Sequence, residues 1–139
     1  MMGVQTIHLT NASSRKLHHG SVYNIMAMPR GWEHFNGNVP AITPTMSWLA
    51  AVRRHACTVE RYREKCEQKF ADSLQSGILA PGRLLVRSFA CPVLVRDGDT
   101  LVCACSREAA ARGDCHRAWA APFLARAGWR VVLDGVAIQ

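Results

Sequence analysis

Apolar positions along this chain change their spacing several times, and each change predicts an element. Residues 4–10 (VQTIHLT) alternate apolar and polar, as a half-buried strand does, and the turn-rich TNASS ends them. Ser21–Met28 predicts a second strand, stopped by Pro29. The stretch from Pro29 to Pro44 is rich in Pro and Gly and predicts loop. A first helix is expected to be capped at Thr43-Pro44, with Met46, Leu49 and Ala50 on one face. Thr58 is a fitting cap for a second. There Val59, Tyr62, Cys66 and Phe70 recur at three- and four-residue steps, opposite Arg61, Arg63, Glu64, Lys65 and Glu67. Gly77 is its natural stop.

The segment after Gly77 reads as a short helix near 81–89, then a turn at Asp97-Gly98. Thr100–Ser106 is apolar and β-rich, as a buried parallel strand should be. Cys115–Ala127 carries Trp119, Phe123, Leu124 and Ala127 on a helical stripe ended by Gly128, and Trp129–Leu133 is a further apolar strand. Pro122 falls inside that helix, where it removes one hydrogen bond and costs about 3 kcal/mol unless the helix adapts. The strand–helix–strand unit is expected to cross over right-handedly and pair its strands in parallel. The prediction is one α/β domain over residues 1–139, with a mainly parallel sheet of about four or five strands flanked by helices.

Composition narrows the classes. Hydrophobic residues make up 49% and charged residues 19%, which suits a globular chain and excludes a disordered one. No apolar run nears the roughly 20 residues that span a bilayer. With no apolar leader in MMGVQTIHLTNASSRK, a cytoplasmic setting with reduced thiols is expected for the six cysteines. Cys57, Cys66 and Cys91 read as packing residues. The net charge is +7, and only three of the 17 basic residues are lysine. Guanidinium groups bond phosphate and carboxylate bidentately, so the balance leans toward a polyanionic ligand: a phosphate-bearing small molecule or a nucleic acid.

Candidate chemistry gathers where the Thr100–Ser106 strand ends. Cys103, Cys105 and Ser106 close that strand, and Cys115-His116-Arg117 opens the next helix. A helix beginning there turns free N–H groups toward the loop and favours an anion. Arg117 adds a forked donor, His116 a group that titrates near neutrality, and the helix terminus favours a Cys115 thiolate. On this reading Cys115, His116 and Cys103 are the catalytic candidates, while Arg117, Ser106 and Cys105 bind ligand. No cofactor is required. The alternative is zinc, because Cys103, Cys105, Cys115 and His116 supply four suitable donors. Against it stand the C-x-C spacing and the adjacency of Cys115 and His116, which rarely both reach one ion. A Cys-x5-Arg phosphatase loop is excluded, since Ala121 and Ala111 occupy the arginine positions, and neither GxxxxGK[ST] nor GxGxxG occurs. In the Pro29–Phe35 loop, Trp32 and Phe35 would stack on a base while Arg30 and His34 meet phosphate. The competing reading has Trp32 plugging the core.

LVCACS, then CHR leading into a helix, Gly and a strand, resembles the DUF488 family. The upstream TPTMSWLAAVRRHACTVERYREKCEQKFADS is similar to a segment of its phage- and bacteria-borne members. The resemblance spans most of residues 43–134. It implies a small cytoplasmic α/β domain whose Cys103 and Cys115-His116-Arg117 share a site, and it implies no particular reaction. The long SREAAARGD loop and Pro122 depart from many members.

Overall fold

The computed structural model describes residues 3–27, 29, 35–88, 92–105, 113 and 115–138. Strand β1 (Thr6–Asn11) is followed by a 3-10 turn at Arg15–Leu17 and by β2 (Val22–Asn24). A second 3-10 turn at Pro40–Ile42 leads to helices α1 (Met46–Arg53) and α2 (Val59–Gln75). Then come β3 (Leu85–Val86), β4 (Val93–Leu94), β5 (Thr100–Cys103), α3 (His116–Arg126), β6 (Arg130–Leu133) and β7 (Val136–Ala137). Five strands form one sheet in the order β2-β5-β1-β6-β7, parallel except for β7, and β3 pairs with β4 in a separate antiparallel ribbon. The α/β class and the mainly parallel sheet are as expected.

Several local expectations change. The unit β5–α3–β6 has parallel strands, but they do not pair with each other. Strand β1 lies between them, with Leu9 in register with Leu101 on one side and Leu133 on the other. Residues 81–89 were expected to be helical, yet turns and β3 stand there, because Pro81 and Gly82 (φ +82°) break the helix and leave only a short apolar pair. The first helix starts at Met46 behind Thr45, not at Thr43-Pro44, since Thr43 Oγ1 is spent on the Val39 carbonyl at 2.7 Å. Helix α2 follows most of the pattern: Thr58 accepts from Arg61 N, and Tyr62, Cys66 and Phe70 are buried, but Val59 in the first turn is exposed.

In-register pairing fixes what each face of the sheet presents. Ile7, Leu9, Leu101, Cys103 and Val131 share the face on which α3 packs, and α2 in turn covers α3. Helix α3 is therefore buried on several sides, including Arg117, Trp119, Ala120, Ala121 and Leu124. Pro122 is accommodated inside it on an exposed position, where water can take the carbonyl its ring leaves without a donor. The opposite face is more polar. Thr100 there exchanges two 2.7 Å hydrogen bonds with the backbone of His19, and the His8 ring stacks on His19 at 4.1 Å. A loop, not a helix layer, covers these positions.

Among the described residues, no helix is long and apolar enough to cross a membrane.

Candidate metal centre

The C-terminal edge of β1 and β5 is where an open parallel sheet leaves a crevice. Cys103 is the last residue of β5, fully buried, and Cys105 follows two positions on. Cys115 is the N-cap of α3, with extended backbone (φ −129°, ψ 138°), and His116 is the first helical residue. That change of backbone between adjacent residues brings both side chains to one place, which the sequence spacing argued against. The ligating atoms of Cys103, Cys105, Cys115 and His116 all lie within 4.8 Å of one another. Cys103 Sγ and Cys115 Sγ are 3.3 Å apart.

Around this cluster several polar groups hold each other in place. His116 Nε2 lies 2.8 Å from the Ile25 carbonyl, which leaves Nδ1 as the ring atom for a ligand. Arg117 is fully buried; its Nη1 donates to Cys103 Sγ and to the Cys105 carbonyl, both at 2.9 Å. Its Nη2 faces both carboxylate oxygens of Asp134, at 3.2 and 3.1 Å. Asn11, at the end of β1, donates from Nδ2 to the Cys105 carbonyl and accepts from Ser13 N at 2.7 Å. The central strand thus fixes the loop that carries Cys105.

The thiols divide unequally. Burial opposes ionisation of Cys103, but hydrogen bonds from Cys105 and Cys115 and the Arg117 charge hold it well below the usual thiol value. Cys105 is pushed up to about 11, chiefly by its hydrogen bond to Cys103. Cys115 is pushed up far more strongly by its bonds to Cys103 and Cys105 and by burial. The lowering expected for Cys115 at the helix terminus is thus found instead at Cys103, beside the guanidinium. His116 is held below the ordinary histidine value by burial, so it sits neutral, as a ligand must.

A cavity of about 370 Å³ opens beside the cluster, lined by Tyr62, Cys105, His116 and Trp119 among others. The Trp119 ring meets Tyr62 edge-on at 5.7 Å and donates from Nε1 to the Gly113 carbonyl at 2.5 Å. Of the expected site residues, the structure unites Cys103, Cys105, Cys115, His116 and Arg117. Ser106, Arg30 and Trp32 lie outside the described residues. Sequence reasoning missed Asp134 and Asn11. The first had a signal, since a buried arginine needs a carboxylate; the second had none beyond its place at a strand end.

Comparison of the chain with protein-family models, with curated proteins and with solved structures finds no match.

Proposed function

We propose that this chain holds one zinc ion on Cys103, Cys105, Cys115 and His116, and that the ion ties the end of β5 to the start of α3. The observation that carries this is the convergence of four donor atoms within 4.8 Å. A tetrahedral zinc with three thiolates and one imidazole needs its donors about 3.8 Å apart, so the side chains move by fractions of an ångström on binding. Three sulfurs and a nitrogen favour zinc over harder cations. The Ile25 carbonyl on the far ring nitrogen and the guanidinium on a thiolate are the outer partners such a centre uses. Four protein ligands close the site, which makes its role structural. On this reading the LVCACS and CHR segments that resemble DUF488 are its two ligand-bearing strips.

The reading with Arg117 as an anion receptor is less well supported, because a ligand would have to displace Asp134 from a fully buried guanidinium. Elemental analysis of protein purified under reducing conditions without added metal tests the proposal. About one equivalent of zinc per chain is expected. Less than about a tenth of an equivalent, with none taken up on zinc titration, would exclude it.

A further inference from the structure

A second cavity, of about 580 Å³, adjoins the first: Met26, Ala27 and Pro44 line both. Its size falls in the range of small-molecule sites. Among the described residues, the charged ones in its lining are Lys69, from α2, and Arg87, which follows β3, and no aspartate or glutamate lines it. The remaining polar lining comes from uncharged side chains such as Asn36, Asn38 and Thr43.

The Lys69 ammonium is anchored on a backbone carbonyl, and the backbone that carries the exposed Arg87 is fixed by pairing with Asn38. Lys69 Nζ is 2.5 Å from the Thr43 carbonyl and, among the described residues, meets no carboxylate, so two of its three N–H donors have no such partner. Burial pushes its pKa down, by more than the nearby Cys66 thiol raises it. Arg87 exchanges backbone hydrogen bonds with Asn38, at 2.7 and 3.0 Å. Gly37 permits that approach: at φ +142° it passes the Arg87 carbonyl so closely that a Cβ would stand 2.5 Å from the oxygen. Phe35, at φ +50°, adds an aromatic wall in a backbone conformation that non-glycine residues rarely adopt.

We propose that Lys69 and Arg87 bind the phosphate of a small phosphomonoester, whose remainder extends past Met26 and Ala27 toward Cys105 and His116. The phosphate ligand suggested by composition is thereby assigned to these two residues and not to Arg117. The phosphate subsite itself shares no residue with Cys103, Cys105, Cys115 and His116.

Calorimetric titration of the zinc-replete full chain with adenosine 5′-monophosphate tests it, alongside inorganic phosphate and a short single-stranded oligonucleotide. Saturable binding of the monophosphate, tighter than inorganic phosphate alone, is expected. Arg87→Met and Lys69→Met should each weaken it about tenfold or more, the worth of one charge-assisted hydrogen bond. Arg61→Met, outside this cavity and paired with Glu64, should leave it unchanged. No saturation by about 10 mM, affinity undiminished in Arg87→Met, or tighter binding of the oligonucleotide would each overturn the proposal. Zinc content of the variants is measured in parallel, so failure of the metal centre shows separately from failure of the phosphate site.

Discussion

Arg117 and Asp134 face each other at the C-terminal edge of the sheet, Nη2 to Oδ2 at 3.1 Å, with the arginine fully buried and the carboxylate mostly so. Thr10 Oγ1 donates to the same carboxylate at 3.0 Å, so the pair also links α3 to the central strand. Removing one member of such a pair leaves a charge stranded. Asp134→Ala should cost about 3–5 kcal/mol, whereas replacing both members with apolar residues, Arg117→Met with Asp134→Leu, should cost distinctly less. Urea unfolding of both variants measures this, and equal losses would show that the pair is not what stabilises the edge.

The proposed metal centre predicts a selective sensitivity to chelation. Stripping zinc from reduced protein should lower Tm by at least about 5 °C, since the ion binds the folded state preferentially. Cys103→Ser and Cys115→Ser should lose the metal, while Cys66→Ala should keep it. Thermal scans with and without chelator, paired with zinc analysis, check all three variants.

Cys66 makes a pH prediction. It is fully buried, and burial pushes its thiol up to about 11 from 9.0. Because the folded value lies above the unfolded one, its contribution is complete below pH 9.0 and is lost as pH rises toward 11. Wild type should therefore lose stability across that window by on the order of 2 kcal/mol more than Cys66→Ala does. Denaturation midpoints at pH 8, 9, 10 and 11 give the difference; parallel curves for the two proteins would refute it.

The two helix caps should behave differently. Thr58 Oγ1 accepts from Arg61 N at 3.1 Å, but Thr45, at the head of α1, makes no such bond. Thr58→Ala should cost about 1 kcal/mol, and Thr45→Ala close to nothing. Paired unfolding curves decide it.

Much of the fold was legible where one period persisted. Helix α2, with its cap and its buried Tyr62, Cys66 and Phe70, could be read directly, as could β1, β5 and the Trp119–Leu124 helix. Short elements could not. The two-residue strands β3 and β4 carry no period, and the run from Pro81 to Arg87 resembles a helix as much as a turn and strand. Strand β7 had a signal in Asp134-Gly135, a hairpin dipeptide between apolar residues, which was overlooked. At the site, the sequence named Cys103, Cys105, Cys115 and His116 but, on their spacing, argued against their meeting at one point, and it expected the lowered thiol at Cys115 and not at Cys103. Which thiol is held lowest depends on how Cys105, Cys115 and Arg117 meet Cys103 in space, and spacing along the chain does not contain that.

The placement of β1 between β5 and β6 has a consequence for how the molecule assembles. His8 pairs with Thr100 and Thr6 with Arg130, so the sheet's middle strand waits for partners made about ninety and more than a hundred and twenty residues later. Until those arrive, neither half of the sheet exists. The chain should therefore fold slowly for its length and in a single cooperative step, with no separately stable C-terminal fragment to bring Cys103, Cys105, Cys115 and His116 together.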